Sequence, residues 1–497
     1  MMEKMHEIAS IASDIFLVLF GSAILLALIT IIVLYIYDRN QNKHTVMRNF
    51  PVIGRLRYRF EHIGEFFRQY FFAMDREELP FNRAQRSWAY RAAKNVETTV
   101  AFGSTRSMLS PGDMLFSNST FPTLPEQYQE NHTICFGEHY VKTPYTTNSI
   151  INISAMSYGA LSKNAIEALC LGAKKAGIWM NTGEGGLSPF HQKTDCDLIF
   201  QIGTAKYGVR DENGQLSEKR LIELSEIQQV KMFELKLSQG AKPGKGGMLP
   251  AAKVSAEIAK IRHIPIHTDS ISPNRHTDIA NTDELLEKIH FIRKTTNKPV
   301  GIKFVLGDKK WLDDLFETIN QKGLDYAPDF ITLDGGDGGT GAAPQPLMDY
   351  MGLPLDVSLP ILIDQLITYR LRDRIKVIAS GKLINPSKVV WALCVGADAI
   401  NTARGFMFSL GCIQAMQCHK NTCPTGITTS DEKLQRGLVV EDKAERVYSY
   451  AKNMNKEINM MAHSCGLTQP REFRRAHCVI IDSNGKAKNL DELYSMK

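Results

Sequence analysis

From residue 149 onward the chain alternates short apolar, β-branched runs with amphipathic helical stretches, and this alternation constrains the fold more than any other feature. Eight runs can be counted: Ile150 to Ala155, Ile178 to Asn181, Leu198 to Ile202, Met232 to Leu237, Val300 to Val305, Phe330 to Leu333, Lys376 to Ala379 and Ala399 to Thr402. Helical segments fall between them, among them Lys163 to Lys175, Glu218 to Gln229, Trp311 to Lys322, Leu362 to Arg372 and Pro386 to Val395. Eight such units predict an α/β fold, a (β/α)8 TIM barrel over residues 146–430. The gap of about 60 residues between the fourth and fifth runs predicts a large insertion after strand four, over the C-terminal face where barrel enzymes keep their chemistry. An open doubly wound sheet is the rival arrangement, but no G-x-G-x-x-G follows an early run.

Upstream, Ile15 to Tyr37 is a run of 23 residues without a charge, enough at about 1.5 Å per residue to cross a hydrocarbon core of about 30 Å. It exceeds the apolar core of a signal peptide, and no A-x-A site follows it. Residues 1–45 therefore read as an N-terminal segment carrying one transmembrane helix. Arg39, Lys43, Arg48, Arg55, Arg57 and Arg59 gather on its C-terminal side, which by the positive-inside rule predicts a single-pass membrane protein with its body in the cytoplasm. Residues 46–145 read as a covering subdomain leading into the barrel, and 431–497 as a C-terminal helical extension. Lys plus Arg exceed Asp plus Glu by only six, a surplus too diffuse to argue for nucleic acid. Nine cysteines, an odd number in a long chain, argue against a secreted disulfide framework.

Functional residues of a barrel sit just after its strands, and here those positions are rich in glycine and a few charges. After the first run comes SAMSYG, with Ala155, Met156 and Ser157 as candidate cofactor contacts; after the second, TGEGG, with Glu184 among glycines; after the third, QIGTAKYG, from Gln201. The fourth run leads into ELKLSQGAKPGKGGMLP, in which Lys236, Gln239 and Lys242 are three apart. Two lysines and an amide at a barrel mouth suit a dicarboxylate or the electron-rich edge of a flavin. Lys303 lies inside an apolar run, so either a cofactor or a structural ion-pair partner must face it. In LDGGDGGTGAAP, Gly335, Gly336, Gly338, Gly339 and Gly341 flank Asp337 and Thr340 and favour backbone contact with a flat or phosphorylated ligand. ASGKL and NTARG follow the last two runs, with Gly381, Lys382, Ala403 and Arg404 in the positions that form a barrel's phosphate site.

GCIQAMQCHKNTCPTG sets Cys412, Cys418 and Cys423 in a C-x5-C-x4-C run ending in Cys-Pro. Three local thiols point to a [3Fe-4S] cluster. Zinc with His419 as a fourth ligand is the competing reading, and a disulfide would leave one thiol over.

SAMSYG, TGEGG, ELKLSQGAKPGKGG, SPNRHTDI, DGGDGGTGA and CIQAMQCHKNTCPTG occur in one order over roughly residues 120–430, and in that order the chain resembles the FMN-binding synthase domain of glutamate synthases. The resemblance implies FMN over the mouth, with 2-oxoglutarate and ammonia, or their imine, reduced there to L-glutamate. It assigns the substrate and flavin site to Lys236, Gln239 and Lys242, and proton handling or ammonia orientation to Glu184. It implies electrons from an external donor, ferredoxin-like or a reductase subunit, passing through the cluster. The family's large enzymes begin with a glutaminase whose N-terminal residue is Cys; here the first cysteine is Cys135, so ammonia is expected free or from a partner glutaminase. Only about 75 residues follow the cluster, too few for the family's C-terminal β-helix. Arg275, in SPNRHTDI, is expected to bring a charge near the substrate. An N-methylglutamate synthase-like transfer, another imine or 2-oxo acid reduction, and a non-catalytic electron-transfer scaffold stay open beside glutamate formation.

Overall fold

The structure, a computed structural model, describes residues 1–494. It separates into two compact units that meet in sequence at 83/84, so the stretch expected as one covering subdomain is divided between them. The first unit holds helix α1 (Met2–Asn40), long and apolar enough to cross a membrane, then short helix α2 (Thr45–Asn49), helix α3 (Gly54–Phe67) and a π-helical turn, Arg68–Phe72.

In the second unit eight parallel strands close into a barrel: β1 (Ile151–Ile153), β2 (Met180–Asn181), β3 (Leu198–Ile202), β4 (Val230–Lys236), β5 (Val300–Phe304), β6 (Phe330–Asp334), β7 (Lys376–Ser380) and β8 (Ala399–Thr402). Each pairs with the next in sequence, and β8 closes on β1 through Ile400 against Ile151. All eight expected runs are strands because each is buried on both faces, against the helices outside and the packed interior within. The insertion is smaller than the gap suggested. Helix Thr282–Thr296, capped by the Asn281 side chain, is the barrel's own helix, and the added part is a short helix, Ala256–Arg262, between strands Met248–Leu249 and Ser270–Ile271.

A hairpin of Ile134–Phe136 and Tyr145–Thr147 plugs the N-terminal end of the barrel. Phe136 is fully buried, with its ring centroid 5.8 Å from Trp179 and 5.6 Å from Phe330, both edge-on. Ile199, Met232, Ile378 and Ala399 complete this dry floor. The C-terminal extension is not wholly helical. Its long helix Val440–Ser464 packs on Lys163–Ala176, where a Cβ at Gly172 would lie 2.4 Å from Val447. Beyond it the apolar run Cys478–Ile481 forms a three-stranded antiparallel sheet with Ala487–Asn489 and Met114–Phe116.

Candidate active site

Alternation along β4 sends Glu234 and Lys236 inward, one layer apart. Glu234, deeper and fully buried, accepts hydrogen bonds from Asn181 Nδ2 (2.8 Å), Thr332 Oγ1 (2.6 Å) and Gln201 Nε2. Three neutral donors thus hold one carboxylate beneath the mouth, and Gln201, expected at a cofactor, is one of them.

At the mouth, Lys236 Nζ lies 2.8 Å from Glu184 Oε1 and donates to Gln239 Oε1. Gln239 Nε2 donates to Thr340 Oγ1 at 3.0 Å, and Arg404 Nη2 to Thr340 O at 2.7 Å. A continuous polar chain therefore joins the loops after β2, β4, β6 and β8. The Glu184 carboxylate is wedged between backbones: a Cβ at Gly203 or Gly247 would fall within 2.6 Å or 2.4 Å of its oxygens. Burial alone would raise the Glu184 pKa, but Lys236, Lys242 and Arg262 outweigh it and hold the carboxyl below its ordinary value. Oε2 of Glu184 has no hydrogen-bond partner among the described residues. Lys242 is 6% exposed, and its ammonium has no ion-pair or hydrogen-bond partner among them. Burial, with repulsion from Lys236, draws its pKa down to about 8.

Arg262, 5% exposed, is a buried cation that the sequence did not mark. It donates to Ser270 Oγ (3.1 Å) and Tyr158 O (3.1 Å), and its guanidinium lies 5.2 Å from the centre of the Tyr207 ring. It ties the loops after β1 and β3 to the insertion. Its only outward sign was its place as the last residue of an amphipathic turn, a position common to many surface arginines.

The glycine loops after β4 and β6 meet backbone to backbone. Gly240 N donates to Asp334 Oδ2 at 2.8 Å, Ala241 N donates to Gly336 O at 3.0 Å, and a Cβ at Gly240 would sit 2.4 Å from Gly335 O. The partner that Lys303 requires is Asp334, at 3.3 Å, an ion pair that Ser380 Oγ braces at 2.8 Å. Lys382 pairs with Asp337 at 3.3 Å. The backbone N–H groups of Gly381, Lys382, Ala403 and Arg404 have no acceptor among the described residues, and Gly381 (φ +136°) has a conformation that a side chain would strain. Met156 is buried and Ser157 lies against Gly183, where a Cβ would come within 2.6 Å of Ser157 N, so both help shape the wall beside Glu184.

The insertion is pinned over this site by His276, whose Nε2–H donates to Lys236 O at 2.9 Å. Burial lowers the His276 pKa to about 4, so it stays neutral. Asp278 holds Lys206 (2.9 Å) and Lys288 (2.7 Å). Arg275 Nη1 donates to the carbonyls of His276 (3.2 Å) and Ile279 (2.6 Å), closing its own loop.

Cys412, Cys418 and Cys423 share the loop beyond β8, with Cys423 buried and the other two half-buried. Among the described residues no three His, Cys, Asp or Glu side chains converge as a metal site, so the thiols are neighbours rather than a closed set. Two cations flank them. Arg404 Nη1 lies 4.0 Å from Cys418 Sγ, and Lys253 Nζ, nearly buried, donates to Ala160 O (2.9 Å) and Cys418 O (3.3 Å).

A closed parallel barrel whose C-terminal mouth gathers Lys236, Lys242 and Arg262 round the Glu184 carboxylate has the arrangement of a barrel enzyme. The chain belongs to the glutamate synthase family: residues 112–468 match the conserved region in glutamate synthase. It is 40% identical to the glutamate synthase large subunit-like protein YerD of Bacillus subtilis (strain 168), over 93% of this chain and 94% of that one. It is 33% identical to the archaeal-type glutamate synthase [NADPH] of Dehalococcoides mccartyi, over 65% of this chain and 61% of the relative. The match to the glutamate synthase [NADPH] large chain of Azospirillum brasilense is 29% identical and covers 71% of this chain but 23% of that protein.

Proposed function

We propose that this chain is a membrane-anchored, glutamate synthase-like oxidoreductase that binds FMN at the barrel mouth and reduces the imine of 2-oxoglutarate and ammonia to L-glutamate. The observation that carries this reading is the Glu184–Lys236 ion pair with the buried Lys242 at the barrel mouth, in a chain of the glutamate synthase family. A dicarboxylate would add a second counter-charge for Lys236 and Lys242, which share the single carboxylate of Glu184. Glu184, ionised at neutral pH, holds an N–H of ammonia or imine at Oε2 and moves a proton there, while Lys236 keeps its other oxygen fixed. Gln239 is held between Lys236 and Thr340, so its position follows both loops.

FMN fits the residues present: the N–H groups of Gly381, Lys382, Ala403 and Arg404 suit its phosphate, and Gly341, where a Cβ would meet nothing within 4 Å, leaves open space in the loop after β6. When bound, FMN supplies the hydride for carbon, and a [3Fe-4S] cluster on Cys412, Cys418 and Cys423 supplies single electrons from an external donor. Lys253 and Arg404 suit the negative charge that thiolates bring to such a loop. Ammonia comes free or from a partner glutaminase, and helix α1 crosses a membrane with the barrel on the cytoplasmic side.

Anaerobic purification tests the reading. Flavin absorbance and acid-labile sulfide are expected, followed by glutamate formation from 2-oxoglutarate and ammonia with a chemical reductant. Colourless protein would sink it. Faster turnover with methylamine than with ammonia would reassign the amine.

A further inference from the structure

We propose that helix α3 and the turn after it lie in the headgroup region of an anionic membrane, as an interfacial helix clasped to the end of the spanning segment; this rests on reading α1 as that segment. The clasp is at Asp38, one residue beyond the apolar run. Its fully buried carboxylate takes Arg55 in a two-pronged pair, Nη2 to Oδ1 at 2.6 Å and Nε to Oδ2 at 2.8 Å, and accepts Val52 N at 2.9 Å. The Arg55 guanidinium also lies over the Tyr37 ring, 5.4 Å from its centre. At Gly54 a Cβ would lie 2.8 Å from Val46 O, so α2 and the start of α3 touch without side chains between them, and the His44 and Tyr58 rings sit 4.7 Å apart. These contacts leave the first turn of α3 no freedom to move away from the level at which α1 ends.

The face of α3 turned from those contacts is apolar and uncovered. Leu56, Phe60, Ile63 and Phe67 fall at i, i+4, i+7 and i+11, one stripe of the helix, and are 47%, 67%, 43% and 47% exposed. Phe71 and Phe72 extend it at 73% and 77%. Arg57, Arg59 and Arg68 flank the stripe on both sides, with Glu61 3.9 Å from Arg57, and arginine stems of this length can lie along apolar surface and carry their charge to phosphate level. An apolar stripe with arginine borders, fixed at a membrane exit, matches the acyl and phosphate layers of an anionic leaflet in depth and in charge. A protein partner would need acidic groups on both borders of one groove; the leaflet presents them everywhere.

The test uses the full chain in vesicles of phosphatidylglycerol and phosphatidylcholine. An environment-sensitive fluorescent amino acid replaces Ile24, Phe60 or His62 by codon suppression, which leaves the nine native thiols untouched. Quenching by nitroxide lipids and by aqueous iodide is then compared. At Phe60, shallow nitroxide lipids are expected to quench roughly fivefold more than iodide does, with the order reversed at His62. The triple variant Arg57→Gln, Arg59→Gln, Arg68→Gln is expected to remove the preference of the Phe60 probe for anionic over neutral vesicles. A Phe60 probe open to iodide overturns the inference, and one shielded from both quenchers assigns the stripe to protein and overturns it too. The Ile24 probe reports separately: quenching by deep nitroxide lipids there with iodide access at Phe60 keeps the span and overturns only the interfacial helix, whereas iodide access at Ile24 ends the span reading and the clasped helix with it.

Discussion

At the N-terminal end of the barrel, Phe136 meets Trp179 and Phe330 edge to face in a floor without solvent, whereas at the C-terminal end Glu184 stands among Lys236, Lys242 and Arg262 with part of its hydrogen-bonding capacity unused. The first arrangement is apolar and close-packed; the second holds its charges in ion pairs and hydrogen bonds. Stability is concentrated at one end and chemistry at the other, so substitutions at the two ends should separate cleanly in their effects.

The largest effect is expected at the floor. Phe136→Ala removes a fully buried ring and should lower unfolding free energy by about 3–5 kcal/mol. Urea denaturation measures it, and a loss under about 1 kcal/mol would mean the hairpin is not part of the core. At the mouth, Glu184→Gln should cut kcat/KM for glutamate formation by about 10²–10³-fold while thermal unfolding stays within a few degrees of the parent. A matching collapse of stability would erase the distinction between the ends. The smallest and sharpest effect is in pH. If Lys242, with its pKa drawn down to about 8, holds a carboxylate of 2-oxoglutarate as proposed, affinity for 2-oxoglutarate should fall as pH rises through 8. The expected slope is about tenfold per pH unit above it, and Lys242→Arg, which stays charged, should flatten the profile. A parent whose KM is constant from pH 7 to pH 10 would disprove that role.

The barrel was legible because its strands are buried on both faces, and continuous apolar runs leave a plain signature. For Lys303 the run left two partners open, a cofactor or a structural ion pair, and Asp334 at 3.3 Å is an ion-pair partner that no local pattern could name. Glu234 and Gln201 were not legible, since their pairing depends on register between β3 and β4, which no single run encodes. Arg262 was hidden because a surface arginine and a buried one read alike when the contacts lie on distant loops. The carbonyl partners of Arg275 were not legible either, since they are set by the turn of its own loop. The sheet between the C-terminal segment and Met114–Phe116 joins residues more than 360 positions apart and left no local pattern to read.

The crossing of Gly240 over Gly335 has a consequence for how such a mouth can diversify. Where two main chains touch directly, no series of gradual side-chain changes can shift one past the other, so this part of the rim is fixed across variants that fold. Change in the mouth is then easier at exposed positions of the insertion, such as Met248 (47% exposed) and Ile271 (66%), than at its buried Arg262 or Ser270.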